Sequence, residues 1–177
     1  MLIKGLIVIA VIIAGILLFA AFRPAQMQIS REIIINAPAD KLFPYINNSQ
    51  KAYDWMPWKD SDPEVKIIYS GPAEGVGAKS SWNSPGKMGV GESEVTESVL
   101  NDHVTTKLNY TKPMSMSQTA TVSLSSAANG QTLVKWSVNG HNAFVFRLMG
   151  IFIDCDKMVG DEFNKGLNKL KTLAEAK

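Results

Sequence analysis

Two glutamates, Glu92 and Glu94, sit two positions apart in an alternating stretch from Met88 to Ser98. Residues at that spacing share one face of a strand. On a solvated face they carry no chemistry. Turned inward by a bulge, a carboxyl among apolar groups would have a raised pKa and could act as general acid or base. They are the catalytic candidates. The other reactive side chains make no set. His103 and His141 are the only histidines, far apart and without a carboxylate or cysteine at ligand spacing. A zinc site needs three or four ligands, so no metal is expected, and no cofactor is implied. Asp154, Cys155 and Asp156 are adjacent, but neighbours on a helix diverge by about 100°. The single cysteine reads as part of a buried stripe, flanked by its aspartates. Gly71 to Gly77 resembles a phosphate loop only superficially. A phosphate loop runs from strand to helix, and here a strand follows.

The bulky apolar residues say more. The chain has four tryptophans and eight methionines. Trp55 and Trp58 fall within four residues of each other, around Pro57. Most such residues must be core. Ligand pockets, however, are also mostly apolar with few polar anchors, and methionine adapts to irregular shapes. Trp55, Trp58, Trp82, Met88, Tyr110, Trp136, Phe152 and Met158 are the candidate lining of a site for a lipid or another hydrophobic small molecule.

The elements that must position these residues follow from periodicity. From Arg147 to Glu175 an apolar stripe recurs at steps of three or four through Leu148, Phe152, Cys155, Val159, Phe163, Leu167, Leu170 and Ala174. This predicts one long helix with a charged outer face. Gly150, Gly160 and Gly166 interrupt it at roughly 1 kcal/mol each relative to alanine. Gly166 suits close packing on a sheet. Gly160 suits either packing or a ligand. Between residues 28 and 139 the chain reads as a strand, a short helix over Asp40–Ile46, an irregular apolar stretch around Trp55, and about six more strands. Asn129-Gly130 is the strongest hairpin signal. Strands in the middle with helices at both ends argue an α+β fold. A long meander curls under its own twist, and a helix across a curled sheet can enclose a cavity.

The N-terminus differs. Gly5 to Phe22 has no charged side chain and lies between Lys4 and Arg23. Roughly 18 to 20 apolar residues suffice to cross a bilayer. The run lacks the small-residue frame of a cleavage site, so a retained single-pass anchor over residues 1–24 is expected. A short N-terminal tail favours placing the domain, residues 28–177, outside the cytoplasm. With Lys plus Arg at 18 and Asp plus Glu at 16, the charges are near balance. No nucleic-acid surface is indicated.

The order of several stretches is also familiar. Arg31 to Pro38, Leu42-Phe43 and Trp55-Met56-Pro57-Trp58 come first. Asp62-Pro63, Tyr69-Ser70-Gly71-Pro72 and Gly75-Val76-Gly77 follow. Then come Gly86-Lys87-Met88-Gly89, Thr96-Glu97-Ser98 and the tail Phe163 to Lys171. Together they resemble the START-like polyketide cyclase/dehydrase and lipid-transport superfamily, SRPBCC, over residues 28 to 175. The anchored bacterial members look nearest. The resemblance implies the helix-grip fold, a curved antiparallel sheet of about seven strands around a long C-terminal helix. It leaves three functions open: a binding module for a hydrophobic molecule, a cyclase- or hydrolase-type enzyme using Glu92 or Glu94, and an interaction domain with a filled core. Binding without catalysis is the first reading.

Overall fold

The computed structural model describes residues 2–86, 88–141 and 143–176; Lys87 of the expected Gly86–Gly89 turn and the terminal Lys177 lie outside the described residues. An apolar helix α1 (Leu2–Phe22) precedes an α+β domain. Seven strands follow the order of their sequence signals: β1 (Gln26–Ile35), β2 (Lys66–Ser70), β3 (Lys79–Asn83), β4 (Val90–Val99), β5 (His103–Lys112), β6 (Met116–Ser126) and β7 (Thr132–His141). They form one sheet in the order β1-β7-β6-β5-β4-β3-β2, every pair antiparallel. β1 returns to pair with β7, so the long meander closes onto its own first strand. β4 carries two register shifts, at Val90/Gly91 and Val95/Glu97. Bulges of this kind bend a strand and raise its twist.

Between β1 and β2 lie three short helices, α2 (Ala39–Asn47), α3 (Ser49–Trp55) and α4 (Trp58–Ser61). α2 falls where its apolar spacing predicts and buries Leu42, Phe43 and Ile46. α3 is a correction, since the stretch around Trp55 was expected to be irregular. The Asn48 side chain accepts the backbone N–H groups of Gln50 and Lys51. That N-cap starts a helix too short to show a period.

A second correction concerns the C-terminal helix. The stripe from Arg147 is not one helix but two, α5 (Phe144–Met149) and α6 (Cys155–Glu175). The first runs out into a turn over residues 150–153, whose N–H groups still bond back to the carbonyls of Phe146, Leu148 and Met149. The Asp154 side chain then accepts the Lys157 N–H and caps the second. The apolar spacing runs through the break because α5 and the connection after it carry exposed apolar side chains of their own.

The core lies between the sheet, α2 and the C-terminal half of α6. Leu167, Leu170 and Ala174 pack there with Ile35, Leu42, Trp55 and Val134. At Gly166 an added Cβ would stand 3.0 Å from the Trp136 ring and 3.2 Å from Pro57. The expected close packing is what the structure has at that position.

Candidate functional site

The concave face of the sheet and the N-terminal half of α6 enclose a cavity of about 1490 Å³. Ligand pockets typically measure about 300–1,000 Å³, so the interior is not filled. All eight candidate lining residues stand around this one cavity.

Alternation decides which side chains face inward. β7 buries Thr132, Val134, Trp136 and Val138, the face its sequence pattern predicts. β6 presents Met116, Gln118, Ala120 and Val122 to the cavity, and β5 presents Val104, Thr106, Leu108 and Tyr110. On β4 the inward residues are Ser93 and Val95. Glu92 and Glu94 therefore point the other way. Glu92 is exposed and accepts a hydrogen bond from the Asn109 side chain at 3.1 Å. Glu94 pairs with Lys79 at 3.1 Å on the outer face. The two register shifts of β4 fall on either side of the pair and leave its parity unchanged. The inward carboxyl required for acid–base chemistry is thus not at Glu92 or Glu94. The cavity does touch Asp154, Asp156 and Glu162, but Asp154 caps α6, Asp156 is bound to Arg31 and Glu162 is bound to Lys165.

The cavity has a rigid inner end. Trp136 stacks on Phe163 at 3.9 Å with an interplanar angle of 7°, and Trp55 meets it edge-on at 5.0 Å. Trp58 adds a second edge contact at 6.2 Å. The Trp55 indole donates to the Tyr45 carbonyl at 2.9 Å. Four rings are thereby held in one geometry, and such contacts contribute about 0.5–1.5 kcal/mol each beyond burial.

A second aromatic pair forms the wall at β3–β5. Trp82 and Tyr110 meet edge-on at 5.5 Å. Gly91 lies between them in register, opposite both Trp82 and Tyr110. A Cβ at Gly91 would come within 2.5 Å of the indole, so glycine is what lets the two rings meet. The Trp82 indole also donates to the Met88 carbonyl at 3.2 Å. The turn carrying Met88 is organised by Asp62, which is buried and accepts from the Ser84 hydroxyl at 2.7 Å and the Met88 N–H at 2.8 Å. Burial pushes the Tyr110 phenol above its ordinary pKa. It stays protonated at neutral pH and can donate a hydrogen bond into a mainly apolar space.

The outer end is open. Pro24, Phe152, Ile153 and Met158 line the cavity yet stand exposed, Phe152 at 72%. They mark a mouth between the end of α1, the α5–α6 connection and the start of α6. Phe152 and Met158 are therefore rim residues, where a continuous helix would have put Phe152 on the buried stripe.

Arg31 has a role that composition alone did not single out. It lies on the inward parity of β1, with Met27, Ile29, Ile33 and Ile35, and reaches α6. Its guanidinium donates to the Asp156 carboxylate at 2.8 and 3.3 Å and to the Asp156 carbonyl at 2.9 Å. That hydrogen bond holds the Asp156 carboxyl below its ordinary pKa. The guanidinium occupies the space where a side chain at Gly160 would be. Gly160 is thus a seat for Arg31. The signal was in the sequence, as one charge interrupting an alternating apolar face.

No family model and no curated protein matches the chain. Solved structures do. A ginseng major latex-like protein from Panax ginseng matches with a TM-score of 0.60 at 12% identity, over 86% of this chain and 100% of its own. The Aha1 dimer from Colwellia psychrerythraea matches with a TM-score of 0.59 at 19% identity, over 84% and 96%. A hypothetical protein from Helicobacter pylori matches with a TM-score of 0.63 at 10% identity, over 84% and 88%. At these identities the likeness is one of architecture, and the chain has the helix-grip fold: a curved seven-stranded antiparallel sheet holding a C-terminal helix.

Proposed function

We propose that this chain is a membrane-anchored binding module for a lipid or another hydrophobic small molecule. The observation that carries the reading is the cavity of about 1490 Å³, bounded by Trp58, Trp82, Met88, Tyr110, Phe152 and Met158 over a floor of Trp55 and Trp136. An apolar ligand there would exchange water contact for contact with rings and methyl groups, at about 25 cal/mol per Å² removed from water. Tyr110 supplies a donor for one carbonyl, hydroxyl or carboxylate of the ligand. Fold likeness to a latex-like protein and to Aha1 agrees with a cavity-bearing domain but names no ligand.

α1 supports the anchoring part of the reading. Ile3–Phe22 is 20 residues long, and the helix is almost wholly exposed and apolar. At about 1.5 Å per residue it spans about 30 Å, the thickness of a bilayer core. The domain then sits directly against one membrane face, and we propose the extracytoplasmic one. A reporter fused at the C-terminus reads the side.

The test is native mass spectrometry of the full chain released from detergent. The expected spectrum contains a bound apolar molecule at one per chain. A spectrum with only the bare chain, after purification and after incubation with extracted lipid, would contradict the reading.

A further inference from the structure

We propose that the segment from Phe144 to Ile153 is a second membrane contact, a lip pressed into the head-group boundary, so that the cavity mouth opens onto lipid rather than water. The inference rests on the anchored reading of α1 and adds a surface that reading does not require.

Three observations meet there. First, Phe144, Val145, Met149, Phe152 and Ile153 are exposed within ten residues, from 39% to 72%. A contiguous exposed apolar patch marks a contact surface. Second, its depth is set by α1. Arg147 donates from one Nη to the Ala21 carbonyl at 3.0 Å and to the Arg23 carbonyl at 3.3 Å, and Ala20 is completely buried. α5 is therefore fixed beside the last turn of the apolar span, which ends at Phe22. A helix that crosses about 30 Å of hydrocarbon puts that last turn at the boundary, and α5 must lie at the same level. Third, the only charged side chain from Phe144 to Ile153 is Arg147, and it is spent on the carbonyl end of α1. What remains to face outward is apolar, as in interfacial helices that lie in the membrane plane.

The consequence concerns the route of the ligand. Phe146, Gly150, Phe152 and Ile153 belong both to the lip and to the cavity lining. With the lip immersed, an apolar molecule passes from the leaflet to the cavity without exposing its surface to water, whose cost scales with the area exposed. The occupant of this surface is the bilayer that α1 crosses, not a second protein.

The test uses the full chain with Cys155→Ser, its single native thiol removed. Single cysteines are introduced as Phe152→Cys, Phe22→Cys and Leu100→Cys and labelled with an environment-sensitive fluorophore. Leu100 is exposed at the β4–β5 turn, at the other end of β5 from the cavity-lining Lys112. The proteins are reconstituted in phosphatidylcholine vesicles carrying a nitroxide on the acyl chain. Expected is a blue-shifted, nitroxide-quenched label at 152 and at 22, with a water-like, iodide-quenched label at 100. Quenching at 22 with a water-like signal at 152 overturns the lip while leaving the anchor standing. Water-like signals at both 22 and 152 overturn the anchor and the lip together. Phe152 is exposed, so the label does not disturb the core. A thermal melt of each labelled protein matching that of the Cys155→Ser parent confirms that the comparison is between folded proteins.

Discussion

The two halves of α6 share one helix and one sheet but do different work. The C-terminal half buries Leu167, Leu170 and Ala174, each at 1% exposure or less. It meets the aromatic floor and α2. The N-terminal half leaves Met158 57% exposed and stands off the sheet, tied to β1 by Arg31. What differs is the filling: tryptophan rings and helices α2 and α3 occupy the closed end, and nothing comparable occupies the open end. The difference teaches that the cavity is not a packing defect. It is the region of the grip left free once the closed end supplies stability.

The strongest way to break that comparison is to truncate one residue in each half. Leu170→Ala should cost about 2–5 kcal/mol. Met158→Ala should change stability by no more than about 0.5 kcal/mol. Urea denaturation of the full chain in detergent measures both, and equal losses would erase the distinction. Next in size is Gly166→Val. The added carbons meet the Trp136 ring, Pro57 and the Trp55 carbonyl, and overpacking of this kind costs about 1–3 kcal/mol. Gly160→Ala should be nearly neutral in the same assay. Alanine gains about 1 kcal/mol of helix propensity over glycine, while the displaced Arg31 gives up its bridge. Faster amide exchange confined to residues 155–162 is the expected signature.

The smallest effect is a pH dependence of that same half. Asp156 has a folded pKa below its ordinary 3.8 because Arg31 donates to it. The bridge therefore contributes fully above 3.8 and is lost as pH falls through the lowered folded value. Both groups are partly solvated, so the contribution is that of a surface pair. Asp156→Asn should remove the acid-dependent part of exchange at residues 155–162 and leave residues 163–174 unchanged.

Much of this architecture is legible in the residues, for identifiable reasons. Most strands declare themselves because one face is buried, and on β7 Val134, Trp136 and Val138 alternate without exception. Asn129 and Gly130 both adopt positive φ, 58° and 73°, at the turn their types predict. The eight residues around the cavity are recoverable because an apolar pocket in a small domain must use its bulkiest side chains. Other features are set by single contacts that leave no period. α3 depends on the Asn48 cap. The break between α5 and α6 depends on the turn over residues 150–153 and the Asp154 cap, while the apolar spacing continues through it. For Glu92 and Glu94 alternation fixes that they share a face but not which face. Ser93 and Val95 take the inner one.

The central claim is that the open half of the grip holds a hydrophobic molecule. All four tryptophans line the cavity, so they are built-in energy donors for a bound dansyl-labelled fatty acid. The most direct measurement is tryptophan-to-dansyl transfer in the full chain, compared with Ala120→Phe. Ala120 lies on the cavity face of β6, partly buried at the edge of the core, and phenylalanine there projects into the cavity. The account predicts saturable one-to-one transfer in the native chain and its loss in Ala120→Phe, with little change in the urea midpoint. Transfer of equal strength in both proteins, or none in either, would contradict it.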